Sequence, residues 1–177
     1  MSLSLDKSRD AELLRFLARF SGVSTGSAAS GPIRVRLAKN NEIYQVNSIA
    51  KHFARQADRE HELCGSTALE KAQIAMWMDF ALGITRCPAA AAPTHWKVLE
   101  NALQRKTYLA AQRVTLADAA LFFVLHAAVA SFTAAQRAEF ANLVRWFDQV
   151  QHTVGVRGFR DLDIVSGLAG PQLALTV

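Results

Sequence analysis

The stretch QRVTLADAALFF, residues 112–123, decides how the second half of this chain folds. Thr115 stands three positions before Asp118, at the entrance to a strongly apolar run. If Thr115 is the N-cap of a helix, Asp118 is its third helical residue, and each side chain can bond the free backbone N–H of the other. A threonine nucleophile would instead need a base within reach, whereas Asp118 is engaged at the helix start. The pair therefore predicts a structural capping box and no catalytic residue.

Length and composition favour one compact unit, or two small subdomains that share a core. The chain has 177 residues, of which 51% are hydrophobic and 20% are charged, so a sizeable core can be buried. The apolar run that contains Leu116 is interrupted by Asp118 and His126, which argues against a membrane span. Acidic residues close to Met1 predict that no secretory signal is present.

Residues that often carry chemistry are sparse in this sequence. Cys64 and Cys87 have no paired spacing and predict free thiols in a reducing compartment. The five histidines form no HExxH motif and have no Cys-x-x-Cys beside them, so we expect no metal site. The net charge is +5, but the basic residues are dispersed and form no recognition motif. A solvated surface is the first interpretation of that charge, and weak contact with tRNA is the alternative.

Hydrophobic periodicity predicts a small α+β part in residues 1–64. Residues 10–20 carry apolar side chains at helical spacing, and a Gly- and Ser-rich stretch follows. Residues 33–37 and 42–46 alternate in polarity on either side of a Lys-Asn-Asn turn, which predicts a β-hairpin. Ser48 is the expected cap of the next helix. The predicted order is helix, hairpin, helix.

The remaining sequence predicts an all-α body in residues 65–160. A capping-box pattern at residues 67–70 opens a long helix that ends at a Cys-Pro pair. A further helix is expected over about residues 94–106, and a second box at residues 133–136 opens another helix that continues to Val150. Residues 161–177 contain two glycines and a proline and predict a loose tail. The predicted fold class is α+β and mostly α.

Four segments make the chain resemble a known family. They are SIAKHFARQADREHELCGSTALEKA (48–72), KTYLAAQRVTLADAALFFVLH (106–126), NLVRWFDQVQH (142–152) and, more weakly, GVRGF (155–159). With the capping box at Thr115, they are similar to the helical domain of the glutathione-transferase fold. In wording and order they resemble the small auxiliary subunits of the animal multi-aminoacyl-tRNA synthetase complex, the translation elongation factor 1 epsilon family. The resemblance implies a truncated thioredoxin-like N-terminal part followed by an all-α C-terminal domain.

The resemblance also indicates which features glutathione binding would require, and this sequence lacks several of them. Only about ten residues precede the first predicted helix, which leaves no room for the usual strand-helix-strand opening. Arg34 stands where the fold places a cis-proline, and Asn47 precedes Ser48 where an acid is expected. We therefore expect no glutathione, no other cofactor and no enzymatic activity.

Members of this family hold synthetases together, which implies a non-catalytic scaffold in translation. The implied partners are the transferase-like domains of methionyl- and glutamyl-prolyl-tRNA synthetase. One implied contact face combines the hairpin edge, the next helix and the long helix, with the candidates Tyr44, Val46, Ala50, Phe53, Ala57, Gln73 and Met76. The other lies near residues 142–152, with the candidates Arg145, Trp146, Gln149 and Arg157. The family also implies a cytosolic location and a nuclear role in DNA-damage signalling through ATM-type kinases.

Two alternatives fit the same residues. A divergent glutathione transferase or thiol reductase would use a serine near the N-terminus or Cys64, and retention on immobilised glutathione would mark it. A tRNA-binding module would use the net charge of +5, and steeply salt-dependent binding would mark it.

Overall fold

The N-terminal part is built on a four-stranded mixed sheet. In the computed structural model, which describes residues 2–26, 28–38, 41–159 and 162–168, the strands lie in the order β2-β1-β3-β4. β1 (Ser2–Leu5) runs parallel to β2 (Ala29–Ser30) and antiparallel to β3 (Arg34–Ala38), and β3 runs antiparallel to β4 (Asn41–Ile43). Alternation along β1 and β3 places Leu3, Leu5 and Val35 in the core.

The predicted hairpin is confirmed, but the expectation that no strand precedes the first helix is wrong. β1 and β2 provide the strand-helix-strand opening in shortened form, with one helix between them. The N-terminal part is short for another reason, because only residues 31–33 separate β2 from β3. Three residues cannot form a helix between these strands. Residues 39 and 40 of the predicted turn lie outside the described residues.

The described residues form eight α-helices. They are α1 (Arg9–Ser21), α2 (Val46–Gln56), α3 (Glu60–Leu63), α4 (Ala68–Arg86), α5 (Ala92–Leu103), α6 (Leu116–Ala130), α7 (Ala134–Glu139) and α8 (Ala141–Gln151). Ser48 does not cap α2, which begins two residues earlier. The single helix predicted after Thr133 is two helices, because Phe140 leaves the helical conformation (φ −109°, ψ 46°).

Local hydrogen bonds explain where several helices begin. The Ser8 hydroxyl accepts from the Ala11 N–H at 3.2 Å and caps α1. The capping box at residues 133–136 is confirmed. The box at residues 67–70 is only half present: the Thr67 hydroxyl accepts from the Glu70 N–H at 3.1 Å, but the Glu70 carboxylate accepts from the Ser66 N–H at 2.9 Å.

One continuous core crosses the predicted boundary between residues 64 and 65. Phe16 of α1 stacks against Phe122 of α6 with ring centroids 6.4 Å apart, and Phe122 stacks against Phe147 of α8 at 4.6 Å. α6 is buried on nearly all sides, as expected for a helix that is apolar around its whole circumference. The sheet, α1 and the helical body therefore stabilise one another through shared aromatic packing.

The described part of the predicted C-terminal tail is not loose. Leu168 is buried, and the Gly167 carbonyl accepts from Arg137 Nη1 at 2.8 Å. The other residues of the predicted tail, residue 161 and residues 169–177, lie outside the described residues. Among the helices that the structure describes, none has the length and apolar character needed to cross a bilayer.

Candidate partner-binding faces

Asp118 joins three parts of the helical body through one buried carboxylate. Its Oδ2 accepts from the Thr115 N–H at 3.0 Å and from the Thr115 hydroxyl at 2.8 Å. Its Oδ1 accepts from the Leu109 N–H at 3.1 Å and from the Trp146 indole N–H at 2.9 Å. Burial raises the pKa of the Asp118 carboxyl, and these four donors oppose that change. The predicted capping box is confirmed, and the role of Thr115 and Asp118 is structural.

The same hydrogen bond corrects the prediction that Trp146 contacts a partner. Trp146 is fully buried. It lies on the inner side of α8 together with Leu143, Phe147 and Val150, which share its helical phase. That phase was visible in the sequence and outweighs the general enrichment of tryptophan at interfaces.

The outer side of α4 carries exposed apolar side chains beside the end of β4. Leu69 and Met76 are 68% and 52% exposed, and Tyr44 is 62% exposed. Gln73 is partly exposed and lies on the same side of α4 as Leu69 and Met76 because residues three and four apart are neighbours on a helix. Tyr44 lines one groove together with Asp79, which follows Met76 by three positions on α4. Tyr44, Leu69, Gln73 and Met76 are termed the α4 face below.

The structure places the other candidates for this face elsewhere. Val46, Ala50 and Phe53 are buried on the inner side of α2, so the prediction that they contact a partner is wrong. Their spacing of i, i+4 and i+7 marks an inner stripe of the helix. Ala57 is partly exposed at the end of α2. Sequence reasoning missed Leu69, whose signal is an apolar residue outside the buried stripe of α4.

Arg145 and Gln149 lie on the outer side of α8, as their helical phase predicts. Arg145 Nη2 donates to the Leu103 and Lys106 carbonyls, each at 2.9 Å. Gln149 Nε2 donates to the Tyr108 hydroxyl at 3.0 Å. Both residues therefore hold the segment after α5 against α8 while they remain exposed. They are termed the α8 face.

Arg157, the remaining candidate, is also exposed. Its carbonyl accepts from Arg19 Nη2 at 3.1 Å, which ties the segment after α8 to α1. Partner binding by Arg157, as by both faces, stays a prediction.

A groove of about 460 Å³ lies between the end of β4, the start of α2 and α4. It includes Asn47, where the resemblance places a glutathione-binding residue. The Asn47 amide donates to Asp79 Oδ1 at 2.5 Å. Asp10 pairs with Arg86 at 3.4 Å across the same groove. These polar groups are therefore engaged with one another.

Two candidate residues of the enzyme alternative are poorly placed for catalysis: Ser8, one of the serines near the N-terminus, does not favour a substrate thiolate, and Cys64 does not readily form one. Ser8 follows β1 and donates its hydroxyl to Asp6 Oδ1. Hydrogen bonds from Ser8 lower the pKa of the Asp6 carboxyl, and its negative charge disfavours a thiolate nearby. Burial raises the pKa of the Cys64 thiol, which makes its reactive thiolate scarce.

An interaction that sequence reasoning missed links the two halves of the chain. The Arg113 guanidinium donates to the His61 and Glu62 carbonyls and to Glu70 Oε2, each at 2.9 Å. Hydrogen bonds from Arg113 and from the Ser66 N–H and hydroxyl lower the pKa of Glu70 to about 2. Arg113 and Glu70 are 43 positions apart, so no local pattern predicts the contact.

No metal centre is formed by the part of the chain that the structure describes. No group of three or more His, Cys, Asp or Glu side chains there is placed to hold an ion.

Comparison with known proteins assigns the chain to a family. Residues 70–154 match the family Arc1p_N_like, described as nuclear-export cofactor Arc1p. The chain is 33% identical over 153 residues to eukaryotic translation elongation factor 1 epsilon-1 of Mus musculus, which covers 81% of this chain and 86% of the mouse protein. The chain belongs to the eukaryotic translation elongation factor 1 epsilon-1 family. The predicted family is confirmed.

Two other relatives have names from tRNA aminoacylation. The chain is 26% identical over 144 residues to the tRNA-aminoacylation cofactor arc1 of Schizosaccharomyces pombe, covering 81% of this chain and 27% of that protein. It is 27% identical over 145 residues to the bifunctional glutamate/proline–tRNA ligase of Drosophila melanogaster, covering 73% of this chain and 8% of the ligase. This member of the epsilon-1 family is therefore similar to a short part of each larger protein.

A solved structure confirms the predicted fold class. The GST-like domain of elongation factor 1-gamma from Saccharomyces cerevisiae matches with a TM-score of 0.68 and 17% identity, covering 97% of this chain and 98% of that domain. At this identity the likeness concerns the fold alone. The fold is glutathione-transferase-like, with a shortened thioredoxin-like part and a helical body.

Proposed function

We propose that this protein is a non-catalytic adaptor of translation, which binds aminoacyl-tRNA synthetases through their own glutathione-transferase-like domains. The observation that carries the proposal is the α4 face, an exposed apolar surface with Leu69, Met76 and Tyr44 each more than half exposed. Exposed apolar side chains that cluster on one side of a helix favour a protein partner. A relative is named as an aminoacylation cofactor, and a tRNA ligase contains a homologous stretch.

Homology between this chain and a stretch of a tRNA ligase favours pairing between the two. Domains of one fold present related surfaces, and related surfaces can meet about an approximate twofold axis. The α4 face lies across the joint between the sheet part and the helical body, so a partner seated there contacts both. The glutamyl-prolyl and methionyl enzymes are the partners we propose.

The α8 face would allow a second partner to bind at the same time. Arg145 and Gln149 lie on α8, whereas the α4 face is built from α4 and the end of β4. A subunit with two separate faces can bridge two enzymes and raise the effective concentration of each beside the other. Such an adaptor requires no chemistry of its own.

The absence of catalysis is part of the proposal and rests on the geometry around Ser8. The Ser8 hydroxyl donates to the Asp6 carboxylate and accepts from the Ala11 N–H. A transferase serine must instead donate to the substrate thiolate, and the Asp6 charge opposes that thiolate. Turnover of a standard electrophile with glutathione would contradict this part of the proposal.

Separate binding measurements with the two synthetase domains test the proposal. The purified full chain is mixed with each transferase-like domain, and the complex is measured by gel filtration or calorimetry. We expect Met76→Glu to abolish binding of one domain, because a carboxylate is then placed on an apolar contact. Val98→Glu on α5 is the matched control, since Val98 is also exposed and lies outside both faces. Failure of both domains to bind the unmodified chain would contradict the proposal.

The proposal also places the protein in the cytosol, where the synthetases act. The nuclear role with an ATM-type kinase that the resemblance implies is a separate part. Co-purification of such a kinase from nuclear extract after DNA damage would test it.

A further inference from the structure

Residues 162–168 form a strap that crosses the helical body beside α6, α7 and α8. Every third residue of the strap faces inward: Leu168 is buried, and Leu162 and Val165 pack against the core. Asp163, Ile164, Ser166 and Gly167 between them are exposed. The strap thus uses apolar side chains at a fixed spacing and leaves the positions between them free.

The polar contacts that hold the strap go to its backbone. His126 Nε2 bonds the Asp163 carbonyl at 2.9 Å, and Arg137 Nη1 donates to the Gly167 carbonyl at 2.8 Å. The Gln151 side chain accepts from the Val165 N–H at 3.0 Å and donates to the Val165 carbonyl at 3.2 Å. These bonds place no demand on the side chains of the strap, because every non-proline residue offers the same backbone groups.

The groups that make these bonds are fixed in place by the helical body. Gln151 is 2% exposed, and its amide also donates to Asp148 Oδ1 at 2.8 Å. The His126 ring packs on Phe122 and Phe147 with centroids 5.5 Å and 5.8 Å away. Prepositioned polar groups lose little entropy when a ligand binds. Backbone hydrogen bonds with pockets for spaced side chains are a general mode of peptide recognition.

The surface under the strap continues into a cleft of about 830 Å³. Leu168 and Gly167 lie at one side of the cleft, and Phe132, Val144 and Arg145 line it further on. The cleft is thus continuous with the strap site and large enough to accept several residues of an extended chain.

We propose that the groove between α6, α7 and α8 is a binding site for an extended peptide segment with an apolar residue at every third position. The strap is its intramolecular occupant, and a segment of another protein with the same spacing replaces it. The tethered strap competes for the groove at an effective concentration on the order of millimolar. An external segment must therefore bind tightly or be present at high concentration to replace it. This proposal does not rest on the synthetase partners proposed above: Arg145 of the α8 face lines the neighbouring cleft, but the groups that bond the strap, His126, Arg137 and Gln151, belong to neither face.

A full-length chain in which the strap is released provides the test. The variant carries Leu162→Ser, Val165→Ser and Leu168→Ser, and the probe is a fluorescent peptide with the sequence of residues 162–168. Anisotropy should show binding to the variant at least roughly tenfold tighter than to the unmodified chain, because the tethered competitor is gone. A peptide with Val165→Pro lacks the backbone N–H that donates to the Gln151 side chain, and it should bind roughly tenfold more weakly. A peptide with Ile164→Ser should bind as well as the parent, because Ile164 is exposed.

The outcomes separate the proposal from its competitors. Gln151→Leu in the released background should abolish peptide binding. A cooperatively folded variant that binds no peptide, or binds the proline peptide equally well, overturns the proposal. A variant that dimerises and ignores the peptide also overturns it, because a second copy then covers the groove. If the variant does not fold, hydrogen exchange of the Val165 amide decides: millimolar peptide should accelerate it in the unmodified chain, and unchanged exchange overturns the proposal.

Discussion

Trp146 donates its indole N–H to Asp118 Oδ1 at 2.9 Å, and both side chains are fully buried. The contact joins α8 to the start of α6 across 28 positions of sequence. The other Asp118 oxygen binds the N-cap of α6, so one carboxylate fixes both the start of a helix and its distance from a neighbour.

Loss of this contact should destabilise the fold without a direct effect on either partner face. Trp146→Phe removes the donor together with part of the buried ring, and we expect a loss of at least about 1–3 kcal/mol in the free energy of unfolding. Asp118→Asn should cost at least as much, because its amide nitrogen then faces two donors. Urea denaturation measures both.

A double-mutant cycle checks that the two residues act together. Asp118→Ala and Trp146→Phe should be non-additive by about 0.5–3 kcal/mol, as expected for residues in contact. Strict additivity would contradict a shared hydrogen bond.

The Asp118 contacts show which parts of the fold were predictable from sequence. The bond to Thr115 spans three positions and follows a local pattern, so it was predicted. The bonds to Leu109 and Trp146 span 9 and 28 positions, and they depend on how the helices pack. The helical spacing nevertheless predicts that Trp146 is buried, because residues 143, 146, 147 and 150 share one side of a helix.

Short elements were harder to predict than long ones. β1 has four residues and β2 has two, and so brief an alternation is a weak signal. Their place in the sheet depends on pairing with β3, which no local pattern reveals. The exposed residues of the α4 face were predicted only in part, because resemblance indicates a region and burial decides which side chains are exposed.

The ion pair between Glu70 and Arg113 should make the free energy of unfolding depend on pH in the acidic range. The pKa of the Glu70 carboxyl in the folded protein, about 2, lies below the ordinary value of 4.5. A carboxyl with a lowered pKa stabilises the fold fully above its unfolded pKa, and this contribution is lost as the pH falls from about 4.5 towards 2. Glu70→Gln should therefore be less stable than the unmodified chain at pH 7, and the difference should vanish near pH 2.

Urea midpoints of both proteins across this pH range provide the measurement. Glu139→Gln is a useful control, because Glu139 is exposed on α7 and is not among the groups to which Arg113 donates. A Glu70→Gln difference that stays constant from pH 7 to pH 2 would show that the Glu70 charge does not contribute.

Arg145 should separate the two partners of the adaptor. Arg145→Ala removes a guanidinium from the α8 face, and loss of a contact residue at the centre of an interface costs about 2 kcal/mol or more, roughly a thirtyfold weaker complex. We expect Arg145→Ala to lose binding of one synthetase domain and to retain binding of the domain that contacts the α4 face. Met76→Glu should give the reverse pattern.

Two companion variants distinguish direct contact from positioning, because Arg145 also holds the Leu103 and Lys106 carbonyls. Tyr108→Phe removes the hydroxyl that accepts from Gln149, so it loosens the same segment without changing a residue of the α8 face, and it should weaken binding much less if Arg145 touches the partner. Arg145→Lys keeps the charge but loses the planar fork, so intermediate binding is expected. Calorimetry with each domain measures all three, and equal retention of both domains by Arg145→Ala would remove Arg145 from the interface.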